Sequence, residues 1–399
     1  MASRLAAHAD WRCWLILATW ASFAIGGAVS STRADESAAQ TIAAADERPL
    51  VGAYYYPWYG VQTEALEEQW GSVFRQRLVP PQTPQAGLYR SDDGEAIADH
   101  LQQSRRAGLD FWAVSWWGPD SPTDKTFRNN LLKHPKSADF RFAALYESTG
   151  RLGSMDRPSY ENWIGDLDYL KKHYFDHPNY LRINGKPVLF VYLTRVYFRD
   201  RGADALKQLR EKHPDLYLIG DDVFGDGYQA AWAKQFDAVT AYDVYGQSTG
   251  PHGGTRKAVD VLARNYADAK SQANSVDTAF VPAVAPGYND TVIREGHPGR
   301  ARAFVDSSDP HEGEVFRAMI TDAALPNLDA RCDRVLMVTS FNEWFEDTQI
   351  EATTGQAAAT TKDDSPSGTA FSGGGRYEDY GHLYLDILRE LTDGPGQSP

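Results

Sequence analysis

Past Arg48 the chain alternates two kinds of segment. Short apolar, β-branched or aromatic runs occupy 51–56, 110–115, 142–146, 187–193, 217–220, 238–242, 279–285 and 334–340. Most are followed by Gly, Pro or polar loop residues, which marks them as strands. Between them lie stretches with apolar residues at helical spacing, among them 94–107, 163–174, 202–213 and 382–391. The first ends at Gly108 and the third just before Pro214, both ordinary helix stops. Strands separated by helices pair in parallel through crossovers, and eight such units predict a single α/β domain, a (β/α)8 TIM barrel with long βα loops. An open doubly wound sheet is the competing architecture. It is disfavoured because neither G-x-G-x-x-G nor a P-loop follows any strand.

The N-terminus has a different pattern. Arg4 and Arg12 precede an apolar run over residues 14–30, and Ala28-Val29-Ser30 offers small residues for cleavage. Residues 1–30 are therefore expected to be a signal peptide and 31–47 a disordered lead-in, with the catalytic domain at 48–395. The expected location is secreted or periplasmic; an uncleaved membrane anchor is the alternative, since ~18 apolar residues is the borderline length. Cleavage removes Cys13 and leaves Cys332 alone, so neither an intrachain disulfide nor a cysteine metal site is expected.

Composition adds two constraints. The 399 residues carry 40 basic and 54 acidic side chains, a formal charge of −14, which argues against binding a phosphate backbone. Aromatic residues make up 12%, enough to supply both a core and a binding cleft. Barrel enzymes place function where strands end and βα loops begin. Reading only those positions gives Tyr54 to Gly60 after the first strand, Trp116-Trp117-Gly118 after the second, Tyr146-Glu147 after the third and Tyr192 after the fourth. Tyr242, Asp243 and Tyr245 follow the sixth strand, Pro286-Gly287-Tyr288 the seventh, and Phe341-Asn342-Glu343-Trp344-Phe345-Glu346-Asp347 the eighth.

Aromatic faces stack on sugar rings while carboxylates and amides bind hydroxyls, so this mouth predicts a carbohydrate polymer or glycan as partner. Glycoside hydrolysis commonly uses two carboxyl groups flanking the bond. Glu343 and Glu346, three residues apart, are the candidate pair. Without context such a pair is a solvated helix face. Placement among Phe341, Trp344 and Phe345 favours function, because buried carboxyls need a purpose or a partner. Candidate substrate-binding residues are Tyr55, Tyr56, Trp58, Trp117, Glu147, Tyr288, Asn342 and Trp344. About half the Tyr54–Tyr59 side chains must face away from the mouth, since strand side chains alternate, and Glu147 has a structural alternative in pairing with Arg151. No H-E-x-x-H motif or second histidine at metal spacing from His252 occurs, so no cofactor or metal is expected.

Several segments, in order, resemble glycoside hydrolase family 99, the endo-α-mannosidases and endo-α-1,2-mannanases. They are Tyr55-Tyr56-Pro57-Trp58-Tyr59-Gly60, Ala107-Gly108-Leu109-Asp110 with Ser115-Trp116-Trp117-Gly118, Asn184-Gly185-Lys186-Pro187-Val188, and Ala285-Pro286-Gly287-Tyr288-Asn289-Asp290 with Arg294. The most specific is Asn342 to Glu351, which resembles the family's N-E-W-x-E-x-T-Q-I-E segment. The resemblance implies a (β/α)8 barrel and retaining hydrolysis of an α-mannoside through a 1,2-anhydro sugar. By motif position Glu343 is then the base on the sugar's 2-hydroxyl and Glu346 the acid/base, with Tyr55, Trp117, Glu147 and Tyr288 in the subsites. Two departures fall in sugar-binding parts. The family's H-W-N-H appears only as Glu68-Gln69-Trp70-Gly71, and its E-P-Y as Tyr146-Glu147-Ser148. The resemblance therefore bears on the catalytic pair more directly than on the sugar or linkage. An α-glucan hydrolase and a non-hydrolytic carbohydrate-binding barrel remain the alternatives. After the motif, residues 353–375 are rich in Thr, Ala, Ser and Gly and are expected to be a flexible insertion, either a lid or a disordered loop.

Overall fold

The computed structural model describes residues 48–62, 65–244, 253–297, 299 and 302–393. The expected signal peptide and lead-in, with Tyr245 and His252, lie outside the described residues.

Eight parallel segments line up in chain order. They are β1 (Val51–Tyr55), β2 (Phe111–Trp116), β3 (Arg141–Tyr146), β4 (Lys186–Val191), β5 (Tyr217–Asp221), β6 (Ala238–Thr240), β7 (Ala279–Phe280 and Ala283–Val284) and β8 (Leu336–Val338). Each pairs with its chain neighbour, and β1 also pairs with β8. The seventh decides closure. Its first piece pairs with β6 and its second with β8, so one segment joins the two ends of the sheet. Val281 N–H donates to Val239 C=O at 2.9 Å, while Pro282, with no N–H, offers its carbonyl to Met337 N–H at 3.0 Å. Proline thus stands where the ladder passes from one neighbour to the other. The ring is a (β/α)8 barrel, as the alternation predicts.

These strands are buried along nearly their whole length, as parallel strands covered on both faces must be. Phe111 and Phe190 meet across the interior at 6.2 Å. Gly52 makes room for them, since a Cβ there would lie 2.1 Å from the Phe111 ring. Among the outer helices, α1 (Gly94–Ala107) shows its sequence logic plainly. Asp93 caps its N-terminus by accepting from Glu95 N–H, and Gly108 ends it at φ 72°, a left-handed turn that suits glycine.

In chain order the outer layer continues with α2 (Trp163–Leu170), α3 (Ala203–Lys212), α4 (Arg256–Ser275), α5 (Glu314–Ala318) and α6 (Leu383–Thr392). The last lies beside α1, joined by Arg106 to Asp386 at 2.7 Å. Its buried face runs through Tyr384, Leu385, Ile387 and Leu388, so it is rotated slightly from the Leu383–Leu391 stripe that spacing alone suggests. Among the described residues no helix is long and apolar enough to cross a membrane.

Residues 353–375 are the segment that composition marks as a flexible insertion. They contain no regular helix or strand, yet isolated bridges tie Thr353 to Pro84, Asp363 to Leu78 and Thr360 to Tyr377. Asp363 organises the turn, its carboxylate accepting from Ser365, Phe371 and Ser372 N–H groups. Small polar residues here make local side chain–backbone bonds, which composition cannot distinguish from disorder.

Candidate active site

The chain leaves β8 into a loop that closes on itself. Ser340 N–H donates to Thr348 C=O at 2.7 Å, and Ile350 N–H returns to Ser340 C=O at 3.0 Å. Inside it, Glu343 N–H donates to Ser340 Oγ at 2.7 Å and Thr348 N–H to Glu343 C=O at 3.2 Å. Asp347 turns the backbone at φ 51°, a conformation that Asp tolerates better than most residues. A tight turn, not a helix, therefore brings Glu343 and Glu346 to one side.

Glu343 is 2% exposed and accepts from Phe345 N–H at 3.0 Å. The Glu346 side chain is 19% exposed and lies 3.1 Å from the Arg294 guanidinium, with the Tyr242 hydroxyl donating to its other oxygen at 3.2 Å. A third carboxyl, Glu147, is buried beside them and accepts from Ser115 Oγ at 2.6 Å, while Trp117 Nε1 donates to the same hydroxyl at 2.9 Å. Burial and the nearby Glu346 charge hold the Glu343 carboxyl well above the usual range. Burial also raises Glu346, but the Arg294 charge works against it. Glu147 is pushed up to about 8 by burial, with Ser115 opposing and Glu346 and Asp221 adding. Like charges in a desolvated site cannot all ionise, so protons are retained here at neutral pH.

The expected site residues divide. Tyr56 joins the carboxyls, since Glu147, Glu343 and Glu346 all act on its phenol and it bonds to Tyr242. Trp58 packs over Tyr56 at 4.5 Å and near Phe345 at 6.1 Å. Half-buried Tyr288 accepts from Arg294 at 3.0 Å and lies within the field of Glu346. Trp117 reaches the cluster through Ser115. Three residues point elsewhere. Tyr55 stacks on Trp112 at 4.1 Å and reaches His100 on α1, because it occupies the outward face of β1. Trp344 is fully buried with its indole N–H on Glu351 at 2.7 Å. Asn342 braces the first strand's end, accepting from Tyr56 N–H at 2.7 Å and donating to its carbonyl at 3.0 Å. These three are packing and brace residues, not mouth residues. The Glu147–Arg151 pairing does not occur either; Arg151 binds Asp166 at 2.7 Å.

Others enter the site without having been assigned to it. Tyr242 and Tyr192 stand at strand ends, which was the available signal, and their rings meet at 5.3 Å. Asp221, the last residue of β5, accepts from Leu193 and Tyr242 N–H groups at 2.9 and 2.7 Å. Among the described residues no cluster of three or more His, Cys, Asp or Glu side chains suits a metal ion.

The sequence model of glycosyl hydrolase family 99 matches residues 79–365. The chain belongs to this family. The family 99 chain is 25% identical to the glycoprotein endo-alpha-1,2-mannosidase of Mus musculus over 339 residues, 77% of this chain and 69% of that protein. Its likeness to the Rattus norvegicus protein of the same name is 24% over 378 residues, 86% of this chain and 74% of that one. Among solved structures, the GH99 endo-alpha-mannosidase from Bacteroides thetaiotaomicron superposes with a TM-score of 0.62 at 22% identity. That match covers 86% of this chain and 95% of the other. Membership makes this barrel a glycosidase.

Proposed function

We propose that this glycosidase cleaves α-mannosidic bonds in a polysaccharide or glycan, acting within the chain and with retention, after export by its N-terminal signal. The observation that carries the reading is the convergence of Glu343 and Glu346 in one aromatic-walled, desolvated cluster. The names of its relatives supply mannose and internal cleavage. Glu343 takes the proton of the 2-hydroxyl as that oxygen attacks the anomeric carbon, and Glu346 gives its proton to the departing oxygen. The 1,2-anhydro sugar is then opened by water that Glu346 deprotonates, while Glu343 returns its proton to the 2-oxygen. Neither step needs a metal.

Arg294 favours a second assignment of roles. It lies 3.1 Å from Glu346 and favours that group's ionised form, whereas at Glu343 its pull is outweighed by burial and by the Glu346 charge. A proton shared by the pair therefore leans toward Glu343, and the first assignment requires a bound sugar to move it to Glu346. If it does not, Glu343 is the acid.

Leaving-group dependence decides between them. The parent should release oligosaccharides from an α-mannan and not from an α-glucan, and Glu343→Gln and Glu346→Gln should each reduce this by about a hundredfold or more. On an α-mannosyl fluoride, whose departure needs no acid, Glu346→Gln should regain most of its kcat/KM, which reports the first step alone, and Glu343→Gln should not. The reverse rescue would exchange the roles, and an inert parent on every α-mannan would sink the reading.

A further inference from the structure

Directly after the acid/base in sequence comes a second buried charge cluster, which the chemistry above does not use. Asp347 is fully buried, with Arg75 Nε at 2.7 Å and an Arg302 terminal nitrogen at 3.0 Å from the same oxygen. Arg302 also donates to the Asp347 carbonyl at 2.8 Å, so one guanidinium grips side chain and backbone together. Gln349 Nε2 adds a bond to the carboxylate at 3.2 Å. Arg75 is held in turn by Glu312 at 3.0 Å and by the Glu378 carbonyl at 2.9 Å. The aromatic rings of Tyr380 and Tyr384 lie 5.2 and 4.9 Å from the Arg302 guanidinium.

The peptide that joins Glu346 to Asp347 is fixed as well. Its carbonyl accepts from Asn289 N–H at 2.7 Å. The backbone is thus pinned immediately after Glu346, and the turn at Asp347, φ 51°, sets the direction in which the chain leaves it. We propose that Asp347, gripped by Arg75 and Arg302, is a positioning residue that aims Glu346 at the leaving oxygen. Asp347 touches no substrate in this scheme. It acts only through its neighbour, and the inference rests on Glu346 being the acid.

Misaiming a proton donor penalises poor leaving groups and spares good ones, whereas a loss of folded protein lowers every rate equally. Asp347→Asn keeps the shape and tolerates the left-handed turn, but removes the charge that both guanidinium groups hold. Its kcat on an alkyl α-mannobioside should fall roughly 30-fold or more, the scale of a small misplacement of reacting groups. On the corresponding fluoride kcat/KM, which reports only the step before water attacks, should stay within about threefold, and KM on the alkyl substrate should change little. Arg302→Lys keeps the charge and loses the fork, and should show the same selective loss at smaller size. It decides the matter if Asp347→Asn does not fold. Equal losses on both substrates in the folded variants would overturn the proposal. Glu346→Gln, assayed alongside, separates the two failures. If it loses kcat/KM alike on both substrates, the acid assignment is wrong; if it alone is selective, only the role of Asp347 is wrong.

Discussion

Two buried charge clusters meet at a single peptide bond, and they are balanced differently. In the mouth, Glu343, Glu346 and Glu147 share the neighbourhood of Arg294, itself also paired with Asp290. In the clamp, Asp347 and Glu312 face Arg75 and Arg302, two charges against two. Burial raises all three mouth carboxyls and too few cations reverse it. Burial raises Asp347 too, but Arg302 and Arg75 more than cancel it and hold the carboxyl below its usual value. Desolvation is common to both clusters. What separates a group that can exchange protons from one that only holds structure is whether its charge has been matched.

Breaking the match should show most in the clamp. Glu312→Ala leaves Arg75 short of a partner and strands the Tyr384 hydroxyl, which donates to Glu312 at 2.8 Å. Removing one member of a buried pair typically destabilises by ~3–5 kcal/mol, and urea unfolding should show a loss of that order. A loss under ~1 kcal/mol would mean the cluster is not a matched pair in the sense argued.

The mouth should respond to pH in the opposite sense to the clamp. Glu147 keeps its proton in the folded state up to about 8, while the unfolded chain releases it near 4.5. Stability therefore falls as pH rises through that window, by on the order of a few kcal/mol. Glu147→Gln removes this term, so its stability relative to the parent should climb from pH 5 to pH 8. Asp347 is ionised when folded, so its contribution is present at neutral pH and is lost as pH falls below 3.8. A flat difference between parent and Glu147→Gln across pH 5 to 8 would contradict the unmatched mouth.

The smallest effect concerns a residue that is in neither cluster. Tyr55→Phe removes the bond to His100 at 3.0 Å and should cost about 1 kcal/mol of stability, with KM unchanged. A raised KM would return Tyr55 to the mouth.

The barrel was legible because its strands are short apolar runs with clear stops, and because α1 carries both of its caps in the sequence. Long α4 likewise buries one face at helical spacing, through Val259, Leu262, Tyr266 and Ala269. In the site, Glu343 and Glu346 were legible through their motif among aromatics. Alternation says that half of Tyr54 to Tyr59 faces inward but not which half, so Tyr55 and Tyr56 exchange importance once the strand is placed. Asn342 and Trp344 look like sugar-binding residues by type, and only the fold shows that their polar atoms are already taken. The clamp was not legible at all. Its members lie far apart along the chain, Arg75 and Asp347 by 272 positions, and nothing local marks them as partners.

That span sets when the enzyme comes into being. Arg75 belongs to the first part of the domain to leave the ribosome, and Tyr384, which holds Glu312, to nearly the last. Until α6 docks, the ground under Glu346 is incomplete. A chain still being synthesised, or one cut short near its end, carries Glu343 and Glu346 before the clamp beside them is complete.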